Sequence, residues 1–241
     1  MASNSFGRIG RLGAAVLKKL QYQKSNIFTE EDAGALEFHL QIIQRVPPRT
    51  IHFNRAPSKP LVLYTDAMAE PGERPGLGLL LFRDPPLAAL GVAMRLPWSL
   101  YTSWSDRQQQ IFPAEVAAVP LALALFRQEC AGRDVIAFVD NEAAVSSLIR
   151  GSTKVGDTNA LVELSHALSL LLHTRVWIEW IDSESNPSDG LSRLGVEDPW
   201  TRSQNVHLQS RNADNFQHAI PCIFLGRTVL TLGGSRSIKK R

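Results

Sequence analysis

Cysteine is nearly missing from this chain. Of 241 residues only Cys130 and Cys222 are cysteines, far apart and in no CxxC pattern. That excludes a disulfide framework and a thiolate metal site, and it fits a reducing, intracellular setting, cytoplasmic or nuclear. A long apolar run is also missing. The longest, residues 116–126, contains Pro120 and falls short of the roughly 18 residues that a membrane span needs, so no membrane partner is expected. The first 29 residues have no acid while carrying Arg8, Arg11, Lys18, Lys19 and Lys24. They lack the apolar centre of a secretory signal and read as a basic leader in preference to an organellar presequence. Strong net charge is absent as well. A balance of +3 permits a polyanionic partner without identifying one.

What is present is an ordinary globular composition, 44% hydrophobic and 20% charged, enough to build a core. The length allows one domain with extensions or two small ones. Residues 61–66, LVLYTD, follow the turn-like APSKP and precede the turn-formers AMAEPGERPG. Four apolar residues in a row fit a strand buried on both faces, ending in the carboxylate of Asp66. A turn role for an isolated Asp is the plain alternative. Three further acids at the ends of other core elements weigh against it.

Before that strand, residues 29–46 read as a helix, with Thr29 and Asp32 as a capping box and Leu36, Leu40 and Ile43 on one face. Pro47 and Pro48 stop it. After it, GLGLLLF (76–82) and LGVAMRL (90–96) read as hairpin-connected strands. Residues 113–126 are helical, with Pro113 in the first turn, Glu115 just inside, and Pro120 expected to kink the helix or shift its start. DVIAFV (134–139) is a fourth strand ending in Asp140. Residues 141–149 form a short helix capped by Gly151, and 159–173 a longer one. VWIEWI (176–181) is a fifth strand, with Trp177 and Trp180 expected to be core or cover residues. A polar loop, 182–188, leads into a helix opened by Asp189. An apolar stretch at 220–232 suits one more hairpin.

The order β-β-β-α-β-α-α-β-α predicts a mixed five-stranded sheet with helices on both faces. Strand one is then central, flanked by strands two and four, and Asp66 meets Asp140 at adjacent C-terminal ends, where open α/β sheets bind ligands. Glu115 and Asp189 can reach the same place. Carboxylates so close repel by about 4 kcal/mol per pair at 4 Å and an effective dielectric near 20. Divalent cations would neutralise them, and an all-oxygen donor set favours Mg²⁺ or Mn²⁺. Two such ions clamp the attacking and leaving oxygens in phosphodiester cleavage.

The pieces YTDA…GLGLLLF, FPAEVAAVPLALALF, VIAFVDNEAAVSSLIRG and NPSDGLSR together resemble the ribonuclease H domain of retroelement reverse transcriptases, over about residues 61–193. The NPSDGLSR ending is similar to the retrotransposon form. The resemblance implies a ribonuclease H-like three-layer α/β fold and hydrolysis of the RNA strand of RNA/DNA hybrids with two Mg²⁺ or Mn²⁺ ions. Asp66 would bridge both metals, Glu115 and Asp140 would hold the leaving-group metal, and Asp189 the metal that activates water. From their own positions, Asn141 beside Asp140 is a candidate substrate contact or a helix N-cap, and Arg193 a candidate phosphate contact or a solvated surface charge. The resemblance also implies three segments: 1–56 as leader and end of a polymerase connection, 57–195 as the nuclease-like domain, and 196–241 as an extension.

A polymerase part is an implied partner, although no YxDD motif occurs, so DNA synthesis is not expected. The family's loop histidine is absent from 182–188, which bears on turnover; Glu184 is a stand-in or a solvated loop acid. Two other readings remain. A non-catalytic domain of this fold could bind nucleic acid or a polymerase. Another nuclease fits less well: a proofreading-type exonuclease would want an acid at Met68, and a transposase-type site would leave the fourth acid unexplained.

Overall fold

The computed structural model describes residues 17–18, 20–22, 28–45, 59–85, 87–102, 104 and 110–210. Helix α1 spans Glu30–Arg45. Its capping box is formed: Thr29 Oγ1 accepts from the Asp32 amide, and Asp32 Oδ2 accepts from the Thr29 amide, both at 3.1 Å. Leu40 stays exposed and Leu36 half-buried, a weaker apolar face than the spacing suggests.

Strands β1 (Leu61–Met68), β2 (Gly76–Phe82) and β3 (Ala89–Arg95) form an antiparallel meander. Helix α2 (Ile111–Leu125) crosses to β4 (Asp134–Val139), which pairs parallel to β1. Helices α3 (Glu142–Arg150) and α4 (Gly156–Leu171) precede β5 (Arg175–Trp180). Helix α5 (Asp189–Leu194) and the single-turn α6 (Pro199–Ser203) lead to β6 (Val206–Ser210). The sheet order is β5-β4-β1-β2-β3-β6, so β1 is central with β2 and β4 beside it, as its apolar run predicts. The sheet has one more strand than expected. Its sixth member pairs parallel with β3 and lies in a stretch too short and polar to show a strand pattern. The expected hairpin at 220–232 lies outside the described residues.

The alternation along β1 and β2 assigns the two faces. Leu61, Leu63 and Ala67, with Leu77, Leu79 and Leu81, join the main core together with α2. Tyr64 and Leu80 face the other way, onto Leu191 of α5 and Ala93 of β3. Helices therefore cover both faces of a mixed sheet in three layers. Helix α2 is buried from Pro113 to Ala124, which is why it shows no polar stripe. It begins two residues before Pro113 and continues through Pro120, so the expected displacement of its start does not occur. Pro120 withdraws one donor from the helix, and burial on every side holds the segment helical.

Two glycines in β2 explain how α5 comes so near. A Cβ at Gly76 would overlap the Ser192 carbonyl oxygen; one at Gly78 would overlap the Ser188 carbonyl and lie 2.6 Å from the Ser192 amide nitrogen. Within GLGLLLF the leucines at 77, 79 and 81 fill the main core while Gly76 and Gly78 leave room for a helix backbone on the opposite face. Trp177 and Trp180 depart from expectation: they are 65% and 45% exposed. Strand β5 is the edge of the sheet, where one neighbour is missing and neither face is fully covered.

Candidate metal centre

Parallel pairing of β1 with β4 matches Thr65 to Val139, which sets Asp66, still inside β1 and paired with Gly78 of β2, beside Asp140, the first residue past β4. Glu115 approaches from the first turns of α2, and its Oε1 accepts the Ala67 amide at 3.2 Å. Carboxylate oxygens of Asp66, Glu115 and Asp140 lie within 4.8 Å of one another. Asp66 and Glu115 are each only 3% exposed. Asp66 Oδ2 and Glu115 Oε2 are buried with no hydrogen-bond partner among protein atoms.

Those environments set the acidities. Burial pushes Asp66 up to about 7, the charges of Asp140 and Asp189 add to that, and a hydrogen bond from Ser192 opposes it. Glu115 is raised well above the ordinary carboxylate range, first by burial and then by Asp66 and Asp140, against the pull of the Ala67 amide. Two buried acids that resist ionisation, each with an orphaned oxygen, fit a cation-binding site. Oxygen-only donors fit Mg²⁺ or Mn²⁺ better than a softer ion.

Asp189 stands outside that group of three. It opens α5, and its Oδ1 accepts from Arg193 Nε at 2.8 Å, one helical turn on. It is nevertheless near enough for its charge to raise both Asp66 and Glu115. Arg193, read from sequence as a substrate contact, is engaged with Asp189 here. Asn141, the other such residue, is the N-cap of α3, its Oδ1 accepting the Ala144 amide at 3.0 Å.

Several supporting residues are not singled out by the sequence reading. Ser183 Oγ donates to Asp140 Oδ2 at 2.7 Å. Buried Asn186 donates from Nδ2 to the Thr65 carbonyl at 3.1 Å, and its Oδ1 accepts both the amide and the hydroxyl of Ser188. Asn186 thus ties the loop before α5 to β1 one residue from Asp66. Its place at the head of NPSDGLSR was the available clue. Trp180 Nε1 donates to the Asp140 carbonyl at 3.1 Å. Trp98 is 55% exposed with the Arg74 guanidinium over its ring, while Trp104 is buried in the main core.

No helix among the described residues is long and apolar enough to cross a membrane. No protein-family model matches the sequence, and no curated protein matches it. Solved structures do. Ribonuclease H1 from the halophilic archaeon Halobacterium salinarum is 17% identical, with a TM-score of 0.43 over 57% of this chain and 98% of its own. The N-terminal ribonuclease H domain of a Mycobacterium tuberculosis protein is 17% identical, with a TM-score of 0.43 over 59% and 97%. A ribonuclease H1 isolated from compost metagenomically is 16% identical, with a TM-score of 0.44 over 58% and 97%.

Proposed function

We propose that this chain is a divalent-cation-dependent endonuclease that hydrolyses the RNA strand of RNA/DNA hybrids. The observation that carries the proposal is the trio Asp66, Glu115 and Asp140, gathered where β1, β4 and α2 meet, with one buried carboxylate oxygen of Asp66 and one of Glu115 left unpartnered. These three residues would hold the cations, with Asp189 completing the set from α5. A pair of ions bound there supplies an activated water and neutralises the leaving oxygen.

The protein's own contribution is positional. Strands β1 and β4 fix two carboxylates rigidly, the Ala67 amide orients Glu115, and Ser183 orients Asp140. Asn186 and the Gly76–Gly78 seat hold α5, and with it Asp189, against the sheet. The four sequence pieces from YTDA to NPSDGLSR support a finer reading, that the domain belongs to a retroelement reverse transcriptase and works beside a polymerase part. Residues 57–195 would be the nuclease unit.

A labelled RNA/DNA hybrid incubated with and without Mg²⁺ tests this. Cleavage should require the cation and leave 5′-phosphate and 3′-hydroxyl ends. Products ending in 2′,3′-cyclic phosphate would refute it, since those need the 2′-hydroxyl as nucleophile. One observation favours the non-catalytic alternative: Asp189 is held by Arg193 instead of joining the other three. Hybrid binding with no cleavage in either Mg²⁺ or Mn²⁺ would decide for that reading.

A further inference from the structure

Next to the carboxylates lies an open concavity of about 400 Å³ lined by Glu142, Val145, Ser146, Ile149, Arg150 and Trp180. Helix α3 forms one wall. Val145 and Ile149, four residues apart, make an apolar row, and Glu142, Ser146 and Arg150 make a polar row alongside it. Trp180 of β5 forms the opposite side. Ile149 is 39% exposed, although its neighbour Leu148 is fully buried, so apolar surface is left outside the core here.

An exposed indole alone on a surface means little. This one is tethered to the candidate centre, because its N–H bonds the main-chain carbonyl of Asp140. The concavity therefore adjoins the main chain of Asp140, and Arg150, whose Nε donates to the Ser146 carbonyl, contributes a cation to its lining. A flat aromatic ring, an aliphatic wall and a cation beside them are the components that hold an unpaired base and its phosphate.

We infer that this concavity is a stacking platform for an unpaired nucleobase, on a single-stranded flank entering or leaving the carboxylate centre. The inference rests on the nuclease reading for its choice of ligand. A base inside a duplex has both faces occupied, so the platform takes only a base beyond the end of the hybrid. Continuity with the carboxylates favours a nucleic-acid strand over a peptide or a second copy of the chain, neither of which needs to reach Asp140.

The test compares a blunt-ended hybrid with the same hybrid bearing a single-stranded overhang, by fluorescence anisotropy in chelator so that no cleavage occurs. The parent protein should bind the overhang form roughly tenfold more tightly, the scale of one stacked base. Trp180→Ala should abolish that gain. Trp180→Phe keeps a ring without the N–H and should retain most of it. Equal loss in both variants would overturn the platform, because the indole would then act only through its bond to Asp140. An undiminished gain in Trp180→Ala would overturn it too. Should that variant not fold, Ile149→Asp changes an exposed side chain on the opposite wall and should also abolish the gain. A parent protein that gains from the overhang yet never cleaves supports the platform and counts against the nuclease reading. A parent that cleaves with no overhang gain overturns the platform alone.

Discussion

Replacing Asp140 with asparagine removes one negative charge from a crowded group and keeps nearly the same shape. The amide oxygen can still accept from Ser183, so little hydrogen bonding is lost. In chelator, Asp140→Asn should melt at or above the parent temperature, because relief of repulsion on the order of a kcal/mol or more outweighs the substitution. Hybrid cleavage should nonetheless fall by at least two orders of magnitude. Thermal unfolding beside a cleavage assay checks both; lower metal-free stability with retained activity would make Asp140 a cap. Acidity gives a second expectation. Folding raises Asp66 to about 7 and Glu115 well above its ordinary value, so the folded state holds more protons than the unfolded one above pH 4. Stability contributed by these groups is full below pH 4 and is lost as pH rises towards 7 and beyond. With chelator present, this pair should make the protein less stable at pH 8 than at pH 5. The pH dependence should be flatter in an Asp66→Asn, Glu115→Gln double variant. Parallel melting curves for the two proteins across that range would contradict the assignment.

At the level of elements, the seat beneath α5 is the sensitive joint. Gly78→Ala places a methyl group against two main-chain atoms that have no rotamer to escape into. Overpacking of this kind typically destabilises by about 1–3 kcal/mol. Activity should drop further than stability, since α5 carries Asp189. Circular dichroism melting and hybrid cleavage, measured on the same preparation, would show the split, and an unchanged rate would mean that Asp189 is dispensable. The same joint marks where the sequence stops being readable. Strands β1, β2 and β4 were legible because their apolar residues alternate or run on between turns, and Asp66 and Asp140 end those runs. The reason for Gly76 and Gly78 was not, because it depends on a helix more than a hundred residues away. Trp177 and Trp180 misled for a related reason: an apolar strand pattern does not reveal which strand lies at an edge. Spacing alone could not show that Arg193 holds Asp189, whereas the cap role found for Asn141 is one of the two that its position beside Asp140 offers.

For the whole molecule, the sixth strand alters the expected boundary behaviour. Strand β6 pairs with β3, covering an edge that would otherwise be open, and the side chains of Val206 and Leu208 occupy the space that a Cβ at Gly91 would need. A protein ending at 195 should keep the candidate centre and still cleave, whereas one ending at 210 should melt several degrees higher and aggregate less. Light scattering on heating separates the two, and equal behaviour would make β6 ornamental. The order of the sheet also explains why the acids are so dispersed along the chain. Central β1 brings in Asp66, its parallel neighbour Asp140, and the helix that crosses between them Glu115.

Helix α5 has six residues, too few to persist in water unsupported. It is helical only while docked on β2, with Leu191 its one fully buried large side chain. The fourth acid is therefore carried by a segment whose helical order depends on its docking. In native-state hydrogen exchange, amides of α5 should exchange together through an opening cheaper than global unfolding, while those of β1 and β4 exchange only with the whole. Divalent cation should slow α5 selectively. Exchange of α5 at the global rate, with or without cation, would show that the helix is locked to the sheet.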